Sequence, residues 1–196
     1  MKKLSLLIIL CLGINLSVNA QDVARRAELP YDQMELYVGS PSLVQGFIGL
    51  FVDIAKGLSG TQDSDRFGCY GIGYAHQFNS WFAVTGKFLY EGYFNNVYTD
   101  KTKETLDYRY LTNVFTIMPG ARFTYLNRKY VCLYSSVDLG MTYMKDSNSK
   151  KDPFSQVIFA LNVTAFGIQA GSNVYGLAEL NAGSDAIVKL GIGVNF

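Results

Sequence analysis

The chain has 196 residues, 49% of them hydrophobic and only 17% charged, with a formal net charge of +1. Ordinary soluble domains carry about 25% charged residues, and the near-neutral balance offers no basic surface for nucleic acid. Tyrosine, phenylalanine and glycine are abundant and proline is scarce.

Residues 1–20 read as a cleaved signal peptide. Lys2 and Lys3 form a positive start, residues 4–12 an apolar core, and Val18-Asn19-Ala20 a small-residue cleavage site. Cys11 follows the bulky Leu10, which disfavours lipoprotein processing, so no lipid anchor is expected. Removing Lys2 and Lys3 turns the formal charge to about −1. No later stretch approaches the roughly 20 apolar residues that a spanning helix needs. The mature chain is one domain of about 176 residues.

Residues 21–33 form a polar lead-in containing Pro30, and a first strand is expected over 34–39. Between 42 and 58 the apolar period changes: Leu43, Phe47, Phe51 and Leu58 fall at helical spacing. Ser42-x-x-Gln45 resembles a capping box and Gly57 a helix stop, so a short helix is expected here. A strand is the alternative. From residue 67 the chain reads as long hairpins, with strands over 67–78, 81–94, 108–126, 130–145, 156–170 and 174–182. The connections alternate: 41–66, 95–107 and 146–154 are long or charged, whereas those near 79, 128 and 172 are tight turns. Cys69 and Cys132 fall on non-neighbouring strands and read as small strand residues and not a disulfide.

The last strand, 186–196, sets Val188, Leu190, Ile192, Val194 and Phe196 on one side at strict period two. Lys189, Gly191, Gly193 and Asn195 take the other side. With it the strand count is eight. An even count, an exported chain and alternating long and short connections suit an antiparallel up-and-down barrel crossing a membrane. The combination resembles the small eight-stranded outer-membrane β-barrel proteins of Gram-negative bacteria, the class with OmpX-like and OmpA-like domains. The resemblance covers residues 34–196, the barrel domain. It implies an outer-membrane location, both termini periplasmic, and contact with outer-membrane lipid and lipopolysaccharide. It also identifies Lys189, Gly191, Val194 and Phe196 with the C-terminal assembly signal read by the barrel-assembly machinery. The predicted helix then falls in the first extracellular loop, where Phe47, Phe51 and Leu58 could lie over the barrel mouth as a lid.

Eight strands leave an interior just wide enough for side chains. Opposite the apolar positions lie Lys87, Glu91, Arg122, Asp138, Glu179 and Lys189, with Thr and Asn residues among them. Such charges are tolerated inside only as a paired network. Glu179 and Lys189 sit symmetrically about Ser184 and should face each other across the last hairpin. A solid polar core is the favoured reading over an ion path.

No catalytic, cofactor-binding or metal-binding set stands out. The one histidine, His76, lies beside the first tight turn with lipid-facing parity, which argues against a Ser-His device at the outer rim. No Cys/His cluster has metal spacing, and Gly71-x-Gly73 opens no helix, so it is no nucleotide fingerprint. The expectation is a monomeric, non-enzymatic surface or envelope protein without a cofactor, whose loops serve adhesion, interaction or envelope stabilisation. The alternative is a narrow porin-like or lateral-gap transporter of small or hydrophobic molecules.

Overall fold

Alternation of apolar and polar residues fixes which way each side chain points along a regular strand. The computed structural model describes residues 29–42, 62–66, 68–98, 106–147 and 155–196. Its strands are β1 (Tyr31–Gly39), β2 (Gln62–Arg66), β3 (Cys69–Gln77), β4 (Phe82–Tyr98), β5 (Leu106–Asn127), β6 (Val131–Ser147), β7 (Ser155–Gly171), β8 (Val174–Gly183) and β9 (Val188–Asn195). All pairings among them are antiparallel, and β1 joins β3 on one side and β9 on the other. With β4 also paired to β5, the sheet returns on itself. β2 and β3 run along the same partner, Arg66 opposite Tyr93 and Tyr70 opposite Tyr90. They are therefore two parts of one barrel strand, and the described strands make a closed eight-stranded up-and-down barrel.

Most strand ends shift by a few residues from the sequence reading, and β4 and β5 extend to Tyr98 and Leu106, inside the connection expected over 95–107. β1 starts at Tyr31 instead of residue 34, because Asp32 still exchanges both backbone hydrogen bonds with Phe196 at 2.9 Å. The connection expected over 41–66 gives up Gln62–Arg66 to β2, whose partner is the upper part of β4. β6 starts at Val131 instead of 130. The expected helix, with Phe47, Phe51 and Leu58, lies outside the described residues.

The wall is inverted relative to a soluble barrel. Leu36, Ile72, Ile117, Met141, Phe159 and Ile192 are exposed on the outside, while charged and amide side chains are buried inside. Closing the sheet pairs each strand on both sides around the lower part of the wall, the condition for a sheet in hydrocarbon. No helix among the described residues is long and apolar enough to cross a membrane.

The wall is also uneven. β1, β8 and β9 have 9, 10 and 8 residues, against 22 in β5 and 17 in each of β4, β6 and β7. Crossing a bilayer takes about 9–11 tilted residues, so β4–β7 rise well past the low side. At the opposite end the connections are tight. Asn79 Oδ1 accepts from the backbone N–H of Trp81 and Phe82, an Asx turn. Gly171, at φ +131°, opens the β7–β8 turn in a conformation that side chains rarely adopt.

Inside, three tyrosines lie across glycines of neighbouring strands. Tyr37 is flanked in register by Gly71 on β3 and Gly191 on β9, Tyr134 by Gly167, and Tyr175 by Gly193. A Cβ on Gly71 or Gly191 would run into Tyr37. The Gly71-x-Gly73 spacing thus makes room for a ring that fills the lumen.

Candidate functional site in the barrel lumen

The lumen is where the chain concentrates its charge, and three tiers can be followed from the tight-turn end upward. In the lowest, Arg122 of β5 donates from Nη1 to Gln33 Oε1 at 2.8 Å and from Nη2 to both Glu35 oxygens at 3.0 and 3.1 Å. Gln169 Nε2 and the Tyr175 hydroxyl also donate to Glu35 Oε1, at 3.0 and 3.2 Å. The guanidinium lies 4.2 Å from the centre of the Tyr134 ring.

Tyr134 leads to the middle tier, its hydroxyl donating to Glu179 Oε1 at 2.6 Å. Glu179 and Lys189 are directly opposed on β8 and β9, with Nζ 2.5 Å from Oε2. Lys189 also reaches Asp185 at 2.9 Å, and its ammonium sits 3.9 Å from the Tyr37 ring centre. Lys87 of β4 binds Asp138 at 2.8 Å and lies 3.5 Å from Asp185 and 4.0 Å from Glu179. Thr85, Ser136 and Asn162 complete the hydrogen bonds to Asp138. In the upper tier Glu91 accepts from the Ser42 backbone N–H at 3.0 Å and its hydroxyl at 3.3 Å. Ser42, bridged to Ala186, turns the chain inward where β1 has ended.

Lys87, Glu91, Arg122, Asp138, Glu179 and Lys189 are thus all buried inside, and all but Glu91 belong to one connected network. The sequence reading balanced three acids against three bases. Among the described residues five acids are buried, since Glu35 and Asp185 are inside as well. Strand parity offers Glu35, which shares a face with Tyr37. Asp185 sits between β8 and β9, where parity says nothing. Gln169 is inward only because of a bulge: Thr164 pairs with Asn181 but Phe166 with Leu180, so Ala165 is the extra residue and the face flips beyond it. Asp138 and Glu179, a conceivable carboxylate pair, are both turned to Lys87. No group of three or more metal-ligating side chains occurs among the described residues. Cys69 and Cys132 are buried and are not joined in a disulfide.

The barrel is similar to the N-terminal β-barrel domain of Pseudomonas aeruginosa OprF, at a TM-score of 0.50 and 14% identity, over 85% of this chain and 97% of that one. The chain has the fold of the small outer-membrane β-barrels. Ail of Yersinia pestis, solved with the heparin analogue sucrose octasulfate, aligns over 85% of this chain and 98% of its own, at 15% identity and a TM-score of 0.47. Ail in a phospholipid bilayer nanodisc aligns at 17% identity and 0.40, over 85% of this chain and 99% of that chain. No family model and no curated protein sequence matches the chain.

Within this fold the terminal motif divides between the two faces of β9. Lys189 is locked in the ion network and Gly191 is pressed under Tyr37, both inside. Val194 and Phe196 are exposed on the outer wall. His76 also lies outside, near the tight-turn end, its Nδ1 2.7 Å from Asp32 Oδ1 on β1.

Proposed function

We propose that the chain is an integral protein of a bacterial outer membrane, with both termini periplasmic, acting as a non-enzymatic surface or envelope protein. The observation that carries this reading is the filled lumen. From Gln33 and Arg122 through Tyr134 and Glu179 to Lys189, Lys87 and Asp138, consecutive side chains touch across the barrel. Among the described residues, no buried cation or carboxylate of this network is left free to lead an ion through. The tall β4–β7 wall supports display beyond the bilayer. Near its top Arg109 stacks 3.8 Å from the Phe94 ring and Tyr108 pairs with Tyr110 at 6.1 Å. An extracellular partner would meet this end, lipopolysaccharide the wall beside it.

Planar-bilayer recording tests the reading: the purified barrel should give no steady single-channel conductance. Steady conductance would instead favour transport. That second reading draws on a notch of about 350 Å3 in the low wall, where β1 ends, lined by Val38, Gly39, Ser40, Gly68, Cys69 and Tyr70 among others. A lateral gap there would pass apolar molecules sideways.

The assembly role of the terminal strand belongs to the same proposal. An assembly machine that captures the strand by edge pairing reads side chains on its accessible face. Val194 and Phe196 are on that face, whereas Lys189 and Gly191 serve the finished interior. Deleting Phe196 should lower the heat-modifiable band in the outer membrane, and Phe196→Ala, which keeps the backbone pair with Asp32, should do so while leaving the stability of the barrel that does form nearly unchanged. Wild-type levels of that band would overturn the assignment.

A further inference from the structure

We infer that the outer wall at β1, β3, β8 and β9 carries a binding site for a phospholipid with a primary-amine headgroup. The inference rests on the membrane placement proposed above. Two adjoining features make the site. The first is an apolar groove of about 300 Å3 lined by Met34, Leu36, Ile72, Val174, Ile192 and Val194. It runs beside Gly176, which also faces outward and where an added Cβ would meet only the Gly191 carbonyl oxygen, at 4.0 Å. The missing side chain leaves a furrow in an otherwise studded wall, shaped for an acyl chain.

The second feature stands at the groove's foot. On the outer face of β1, Asp32 is the next position below Met34, and it pairs in register with His76. The Tyr74 hydroxyl donates to Asp32 Oδ1 at 2.5 Å and His76 Nδ1 lies 2.7 Å from the same oxygen. Among the described residues, Asp32 Oδ2 and His76 Nε2 are left without a protein partner. Both side chains are 32% exposed. A carboxylate oxygen and an imidazole nitrogen therefore point outward side by side, beneath a slot for hydrocarbon.

That order matches a phospholipid of the periplasmic leaflet. The groove occupies the half of the wall next to the tight turns, which the proposed orientation places toward the periplasm. An ammonium headgroup would donate to Asp32 Oδ2 and to His76 Nε2, which accepts while Nδ1–H is donated to Asp32. An anionic headgroup without an amine would meet the Asp32 carboxylate unfavourably, so charge complementarity selects the amine. Lipopolysaccharide belongs with the opposite leaflet, and a second copy of the chain would bring its own Asp32 and His76 against this pair.

The test uses the protein extracted from membranes in mild detergent and offered equimolar phosphatidylethanolamine and phosphatidylglycerol with identical chains. Native mass spectrometry counts the lipids retained. The wild type should keep the ethanolamine lipid over the glycerol lipid by about fivefold, the scale of one favourable exposed ion pair. Asp32→Asn keeps an acceptor for Tyr74 and His76 and should bring the ratio to about one. Gly176→Leu fills the furrow and should lower retention of both lipids, with the Asp32–His76 pair untouched. Equal retention by the wild type, an unchanged ratio in Asp32→Asn, or a dimer that buries the groove would each overturn the site. A chain that stays soluble without detergent would overturn the membrane reading, and this inference with it.

Discussion

Lys189→Met is expected to cost the barrel about 3–5 kcal/mol, because it strands buried carboxylates inside a closed wall. Lys189 holds Glu179 at 2.5 Å and Asp185 at 2.9 Å, and all three side chains are shut away from solvent. Among the described residues, Lys87 is the cation left within ion-pair distance of them, at 4.0 Å from Glu179 and 3.5 Å from Asp185, and it is already committed to Asp138 at 2.8 Å. Adding Glu179→Gln or Asp185→Asn to Lys189→Met should each restore part of the loss. Both together should restore most of it, since the remaining charges, Lys87 and Asp138, form a pair of their own. Trp81 is the one tryptophan and stands in the β3–β4 turn, so its emission reports urea unfolding in lipid vesicles. Coupling between the sites should exceed the ~0.5 kcal/mol within which independent sites add. Additive losses across the cycle would show that the short distances carry no energetic coupling.

This dependence also explains what the sequence could and could not disclose about the site. Where a strand is regular, period two is enough to put a residue on the lumen side. Lys87, Glu91, Arg122, Asp138, Glu179 and Lys189 all lie on regular stretches, and the facing of Glu179 and Lys189 follows from symmetry about the last hairpin. The count of eight antiparallel strands was legible for the same reason. The alternation is renewed after every turn.

Parity fails where the backbone departs from the pleat. Asp185 lies between β8 and β9, in a segment with no face to read, yet it is shared by two lysines. Gln169 changes face because Ala165 is bulged, its carbonyl accepting from the Ser135 hydroxyl at 3.0 Å. β2 was hidden because Gln62–Arg66 is wholly polar, QDSDR, so no apolar alternation marks it as strand. Its pairing with β4 is supplied by the partner's length and not by its own composition. Likewise Glu35 shares a face with Tyr37, but its partner Arg122 is 87 positions away in sequence, and no local pattern joins them.

Arg122→Met should match Lys189→Met in size while failing at the other end of the barrel. The Arg122 guanidinium is the sole cation among the described residues bonded to Glu35, and it meets both carboxylate oxygens through one nitrogen while Nη1 holds Gln33. Methionine fills similar volume but leaves Glu35 charged, with only Gln169 and Tyr175 donating to it. The expected loss is again about 3–5 kcal/mol. Arg122→Lys should recover only part of it, because an ammonium cannot span Gln33 and Glu35 as a planar guanidinium does, nor stack as well on Tyr134. Glu35→Gln added to Arg122→Met removes the stranded charge and should recover most of the loss. The two tiers share Tyr134, which touches Arg122 with its ring and Glu179 with its hydroxyl. Combining Arg122→Met with Lys189→Met should therefore depart from the sum of the single effects, and Tyr134→Phe should shrink that departure by cutting the link. Strict additivity of the two, with Tyr134 intact, would show the lumen to be two separate ion clusters instead of one network.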